Sequence, residues 1–202
     1  ITGESNAILR VGASLTIGEY LLPSLLGSFK KQAPEIKVTL TIKNTPSVLE
    51  DLANDVIDLA LVEGMVENTN LKVEKFAEDE LVLIHPPDHR WRDRTEINIE
   101  ELANERMIWR ESISGTRLIV ENALREHGVL ERIESYMEIG STQAIKSAVE
   151  AGLGISILPR LTVARELEQG FLHEIKMTGV DIKRNLWLVK KPQRFRSSGV
   201  SS

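Results

Sequence analysis

Ile36-Lys37-Val38-Thr39-Leu40-Thr41-Ile42-Lys43-Asn44-Thr45-Pro46-Ser47 is the stretch that decides the fold. Ile36, Val38, Leu40 and Ile42 alternate with Lys37, Thr39, Thr41 and Lys43, the period-2 pattern of a half-buried strand. The alternation stops at Asn44-Thr45. Pro46 then fits the first position of a helix with Thr45 as its cap, because an N–H there has no intrahelical partner to lose. Val48, Leu49, Leu52, Ala53 and Val56 give that helix its apolar face. A strand therefore runs through a hydroxyl-bearing turn directly into a helix.

The same theme recurs along the chain. Leu9–Gly12 leads into Ser14-Leu15-Thr16, Met107–Trp109 into Ser112-Ile113-Ser114-Gly115-Thr116, and Ile133–Ile139 into Ser141-Thr142. Each turn sets backbone N–H groups and a hydroxyl at the C-terminal edge of a sheet, where open α/β folds take up ligands and where small anions are best accommodated. One such turn signifies little, since Ser and Thr are ordinary helix caps. Two in each half of the chain point to a two-lobed receptor for a small anionic molecule.

The remaining segments complete this pattern. Leu21, Leu22, Leu25, Leu26 and Phe29 lie on one helical face, and Pro23 is tolerated if that helix begins near Gly18–Tyr20. Ile57–Glu63 is short and almost continuously apolar, as in a buried parallel strand. Leu71–Phe76 and Glu80–Ile84 read as two extended segments, followed by a turn at Pro86-Pro87-Asp88-His89. Helices are expected at Thr116–His127, Thr142–Ala151 and Leu161–Glu168, with strands at Gly154–Leu158, Phe171–Met177 and Leu186–Val189. Trp109 and Trp187 fall in strand patterns and are expected in the core. Trp91, in a polar stretch, is expected at the surface. The Ser-rich tail from Pro192 to Ser202 is expected to fray. Each half thus runs β-α-β-α-β. The fold class is α/β, with two lobes that are each a mostly parallel sheet flanked by helices. Lobe I is expected over 1–80 plus 180–202 and lobe II over 81–179, joined by two crossover segments.

Apolar residues make up 42% and charged residues 27% of the 202, ordinary for a globular protein. The net charge of −5, with Lys and Arg scattered, argues against direct nucleic-acid binding by this chain. With no cysteine there is no disulfide and no thiolate metal site. His85, His89, His127 and His173 lack metal-ligand spacing. No cofactor, metal or catalytic constellation is expected, and the chain does not read as an enzyme.

Several segments in order resemble the effector-binding domain of LysR-type transcriptional regulators. Leu9-Arg10-Val11-Gly12-Ala13-Ser14, Gly18-Glu19-Tyr20-Leu21-Leu22-Pro23, Phe29 and Pro34 look like the opening of that domain. Asp58-Leu59-Ala60-Leu61-Val62-Glu63-Gly64 resembles its third strand. Leu81–Ile84 with His85-Pro86-Pro87-Asp88-His89 resembles its crossing strand and turn, and Gly115-Thr116-Arg117 its second-lobe helix start. Ala151-Gly152-Leu153-Gly154-Ile155-Ser156-Ile157-Leu158-Pro159 is the most specific of these stretches. The resemblance implies a fold like that of periplasmic solute-binding proteins, with a small-molecule effector in the inter-lobe cleft. It also implies a homodimer formed by antiparallel lobe I/lobe II pairing, a higher oligomer in the full-length regulator, and a cytoplasmic location without membrane contact. DNA would be contacted only through an N-terminal helix-turn-helix domain, for which nothing before Ile8 has room. The alternative reading is a solute-binding protein of a transport system.

The candidate effector contacts are Ser14, Thr16, Asn44, Thr45 and Glu63 in the first lobe, and Ser112, Thr116, Ser141 and Thr142 in the second, with Ser114 nearby. Helix capping competes as an explanation for each hydroxyl. A carboxylate at Glu63 repels an anion and suits an ammonium, a hydroxyl or a backbone N–H. Arg110 and Arg117 are candidate counter-charges, although surface ion pairing is the commoner fate of an arginine.

Overall fold

β1 (Ile8–Ala13) lies between β2 (Lys37–Ile42) and β3 (Leu59–Glu63), parallel to both, with Ala13 opposite Ile42 on one side and Leu61 on the other. The computed structural model describes residues 7–64, 66–67 and 70–192, so the expectation about the tail beyond Pro192 lies outside the described residues. The chain divides into two units, Ile1–Glu78 with Asn185–Ser202, and Asp79–Arg184. Two strands contain the boundaries: β4 (Lys72–His85) and β10 (Ile182–Lys190).

In the first unit, helices connect the three parallel strands, and β10 joins β3 antiparallel with Leu186 opposite Glu63. Val48, Leu52, Ile57, Ala60, Val62 and Val189 form its core. Asp58 fixes the β1–β3 register. Its carboxylate accepts from the Arg10 backbone N–H at 3.0 Å and from the Arg10 guanidinium at 2.9 Å, and its own N–H donates to Arg10 O. Burial works to raise the Asp58 pKa, but the Arg10 bonds outweigh it and hold the carboxyl below its ordinary value.

The single helix expected over Tyr20–Lys31 is in fact two. α1 (Leu15–Tyr20) ends as Leu21 N–H donates to Ile17 O, and α2 (Leu22–Gln32) restarts with Pro23 in its first turn. The restart puts the proline where its missing N–H costs nothing. α3 (Thr45–Ala53) is capped by Asn44, whose side chain accepts from Ser47 N–H at 2.9 Å. The cap is therefore one residue earlier than expected, and Thr45 lies inside the helix.

In the second unit, β4 pairs antiparallel with β8 (Ser156–Pro159) on one side and β9 (His173–Met177) on the other. The two segments expected at Leu71–Phe76 and Glu80–Ile84 are one continuous strand. Its Leu81-Val82-Leu83-Ile84 run is apolar throughout because it faces two cores. Leu81 and Leu83 pack with Trp109, Leu124 and Ile157, whereas Val82 and Ile84 pack with Ile145, Val149 and Leu158. β9 also pairs with the short β5 (Glu96–Ile97), parallel to it. β6 (Arg106–Trp109) and β7 (Glu134–Glu138) form a parallel pair, and an isolated bridge joins Met107 to Ile155. α4 (Gly115–Glu126), α5 (Thr142–Glu150) and α6 (Arg160–Gln169) complete the unit.

The two glycines of Gly152-Leu153-Gly154 serve different needs. Gly152 has φ +83°, and a Cβ on Gly154 would meet the Arg106 carbonyl oxygen at 2.4 Å. Trp91 is a correction to the sequence reading. It is 1% exposed and packs against the His89 ring at 4.5 Å and the His85 ring at 6.0 Å. Its polar neighbours remain in the turn while the indole inserts. His89 accepts from Trp91 N–H and lies 2.6 Å from Glu105, so it donates through Nε2 and is fixed as one tautomer.

Candidate functional site

In the first unit, β1 delivers Ser14 to the sheet edge and β3 delivers Glu63 beside it. Ser14 N–H donates to Leu61 O at 3.0 Å, which extends the strand pairing by one residue. Ser14 has the extended backbone of an N-cap, yet its side chain caps nothing. Its hydroxyl donates to Glu63 Oε2 at 2.5 Å and accepts from Glu63 N–H at 3.3 Å. Thr45 Oγ1 donates to the Glu63 carbonyl at 3.3 Å. Ser14, Thr45 and Glu63 are thus brought together, whereas the Asn44 side chain is committed to its helix. Thr16 is 5% exposed, and its hydroxyl has no hydrogen-bond partner among the described residues.

In the second unit, β6 ends at Trp109 and passes the chain to Arg110. Arg110 Nη1 donates to Thr142 Oγ1 at 3.1 Å, and its Nε donates to Glu111 Oε1 at 2.7 Å. Hydrogen bonding from Arg110 holds the Glu111 carboxyl below its ordinary pKa, against the opposing effect of burial. Ile139 N–H donates to Trp109 O, so the C-terminal end of β7 is held beside that of β6 where α5 begins. Ser141 caps α5 by accepting from Ala144 N–H at 3.2 Å, and Ser114 caps α4 by accepting from Arg117 N–H at 3.3 Å. Ser112 is exposed. Arg117 donates to Arg110 O and Glu138 and lies over the Trp109 ring, so it supports the β6 end. Thr116 belongs to a different group. Its oxygen accepts from Arg184 Nη1 at 3.0 Å, and Arg184 Nη2 lies 3.4 Å from Asp79 Oδ2.

Asp79 and Arg184 form a buried ion pair that sequence reasoning missed, with both side chains 3% exposed. Burial raises the Asp79 pKa despite Arg184. Glu111 was missed as well. The only sequence signal for it is adjacency to Arg110 at a strand end. Among the described residues, no group of three or more His, Cys, Asp or Glu side chains could hold a metal ion, and no helix is long and apolar enough to cross a membrane.

Two α/β units, each with hydroxyl-bearing turns at the C-terminal ends of parallel strands, define a small-molecule-binding domain. The LysR substrate binding domain model matches residues 2–202, and the chain belongs to that family. It is 39% identical over 193 residues to a probable RuBisCO transcriptional regulator of Chlorokybus atmophyticus, covering 94% of this chain and 62% of that protein. Against the corresponding protein of Guillardia theta it is 37% identical over 193 residues, with the same coverage. The chain therefore spans about 62% of the length of these relatives, which are named as transcriptional regulators and not as transporters. Among solved structures, the Synechocystis PCC6803 CcmR regulatory domain in complex with 2-PG superposes with a TM-score of 0.81 at 31% identity, covering 94% of this chain and 90% of that one. The effector-binding domain of QuiR in complex with shikimate, at 19% identity, shares the fold with a TM-score of 0.80 over 96% of this chain and 91% of that one. The expected α/β periplasmic-binding-protein-like fold and the expected effector-binding class are both borne out.

Proposed function

We propose that this chain senses a small anionic effector for a bacterial transcription regulator, binding the molecule without transforming it, inside the cell. The observation that carries the reading is Thr16. Thr16 is 5% exposed, and no hydrogen bond of its hydroxyl is seen among the described residues, so that hydroxyl is open to a ligand. In the second unit, Arg110 and Thr142 supply a guanidinium and a hydroxyl at the start of α5, with Ser141 beside them. Ser112, Thr116, Asn44 and Thr45 are assigned supporting roles. DNA contact belongs to a separate N-terminal domain of the intact regulator. 2-PG is a natural first ligand to test, given the CcmR complex at 31% identity.

The regulatory domains pair as antiparallel homodimers, with α2 and β2 as the first-lobe surface. Leu25 and Ile42 are exposed there, at 46% and 36%, which favours a covered face. Light scattering at tens of micromolar gives a dimer mass if this is right and a monomer mass if not.

The effector reading is tested by thermal shift against sulfate, phosphate esters, and di- and aromatic carboxylates. A ligand at about a hundred times its Kd raises stability by about 2.7 kcal/mol. Thr16→Ala reduces that shift and leaves the unliganded Tm within a few degrees. If Thr16 is merely structural, the unliganded Tm falls and affinity is unchanged.

A further inference from the structure

Two arginines meet at the end of β6, and their surroundings differ in charge. Arg110 is the first residue beyond the β6–β7 pairing, which ends with Trp109 opposite Glu138. Its side chain is 12% exposed and bonds one carboxylate, Glu111, and one neutral oxygen, Thr142 Oγ1. The other N–H donors of this guanidinium make no hydrogen bond among the described residues. Arg117 has two carboxylates for its one charge, Glu138 at 2.8 Å and Glu121 at 3.4 Å. An anion at Arg117 is opposed by both of them, whereas an anion at Arg110 finds open donors and a single carboxylate.

What Arg117 holds is the backbone from which Arg110 projects. Its own N–H is capped by Ser114 at the start of α4. Its Nη1 donates to Arg110 O and to Glu138 Oε1, each at 2.8 Å, and its guanidinium carbon lies 5.2 Å from the centre of the Trp109 ring. One planar group thus fastens the start of α4 to the ends of β6 and β7. We infer that Arg117 is a positioning residue: by fixing the Arg110 carbonyl it sets where the Arg110 guanidinium stands, and so tunes the affinity for an anion that it does not itself touch. This inference rests on the anion-sensing function proposed above, in which Arg110 is the second-unit contact. A guanidinium suits the task because its fork reaches a carbonyl and a carboxylate together while its face lies over an indole. An ammonium supplies the same charge without the fork or the face.

The test titrates the 202-residue chain with 2-PG and with inorganic phosphate, and compares Arg117→Gln, Arg117→Lys, Arg110→Ala and the Arg110→Ala, Arg117→Gln double variant. Calorimetry is expected to show Arg117→Gln binding about fivefold to tenfold more weakly than the parent. Arg117→Lys recovers only part of that loss, although it keeps the charge. In the Arg110→Ala background Arg117→Gln has no further effect, since no guanidinium is left to misplace. A residue that contacted the anion itself would show its loss in both backgrounds. The Arg110 Nε–H resonance, assigned by its disappearance in Arg110→Ala, reads the placement without any ligand. Bonded to Glu111 it exchanges slowly with water, and Arg117→Gln shifts it and speeds that exchange.

Equal losses in the two backgrounds overturn the inference and make Arg117 an effector contact. Full recovery of affinity by Arg117→Lys overturns it too, because the effect is then one of charge alone. Unchanged affinity in Arg117→Gln, or an unmoved Arg110 Nε–H resonance, does the same. An unliganded Tm within a few degrees of the parent certifies each variant as folded, and Arg117→Lys replaces Arg117→Gln in both backgrounds if the glutamine variant melts lower than that. If neither probe binds the parent at millimolar concentration, it is the proposed function that fails for these ligands. The resonance alone then decides whether Arg117 positions Arg110, as it also does where binding to Arg110→Ala is too weak to titrate.

Discussion

Arg110 reaches Thr142, 32 residues further along the chain, with Nη1 3.1 Å from Oγ1. The bond uses a lone pair of the threonine and leaves its hydroxyl proton available. A guanidinium and an O–H donor are thereby held together at the first residue of α5, with the guanidinium steadied on its other edge by Glu111.

From this pair, Arg110→Ala is expected to weaken binding of an anionic effector by about tenfold to a hundredfold, the equivalent of one hydrogen bond to a charged group. Arg110→Lys recovers part of the affinity, since it restores charge but not the planar fork. Calorimetric titration measures both. Unchanged affinity in Arg110→Ala would remove this arginine from the effector contacts.

Gly154→Ala tests the packing of the second unit. Its Cβ would meet a backbone oxygen, Arg106 O at 2.4 Å, and not the end of a flexible side chain. The same oxygen accepts from Ile155 N–H, so the strand cannot retreat without losing that bond. The expected cost is about 1–3 kcal/mol or more, read as a shift in the urea midpoint. Gly27→Ala, at an open helical position, is the control and should stabilise slightly.

Glu101 should account for part of the acid sensitivity. Hydrogen bonds from Arg94, at 2.6 and 2.9 Å, and then from Asn98 N–H at 3.0 Å hold its carboxyl down to about 2. A carboxyl depressed on folding stabilises in full above its unfolded pKa, near 4.5, and that contribution is lost as the pH falls toward about 2. Glu101→Gln should therefore lower the Tm at pH 7 and have little effect near pH 2. A constant difference across that window would show that the bonds do not shift the titration.

Lys146 lies in the α5–α6 contact with its side chain 4% exposed. It donates to Thr162 O at 2.7 Å and lies 2.9 Å from Glu166. Lys146→Met is expected to destabilise by about 3 kcal/mol because a carboxylate loses its counter-charge. Adding Glu166→Leu should recover much of that. Chemical denaturation of the two variants and their combination gives the coupling.

The alternating Ile36–Ile42 strand and the two-sided Leu81–Ile84 strand were legible because side-chain periodicity reports burial directly. The hydroxyl turns were legible as places but not as roles. Capping depends on which oxygen reaches which N–H, and at Asn44 and Ser14 that was settled by side-chain geometry invisible in sequence. The Asp79–Arg184 pair was hidden because a charged residue within Glu78-Asp79-Glu80 reads as solvated, and its partner lies 105 residues away. Trp91 was misplaced for the same reason: the polarity of its neighbours says nothing about where one large side chain inserts.

The sheet of the first unit is completed by β10, whose Leu186 lies opposite Glu63, and this has a consequence for how the protein is made. On the ribosome, the second unit is contiguous and can close once Arg184 has emerged. The first unit begins synthesis earlier yet cannot finish, because its β3 edge stays bare until residue 190 is out. The usual N-to-C order of domain completion is thereby reversed, and a nascent chain stopped before β10 exposes an open strand edge to its neighbours on the same message.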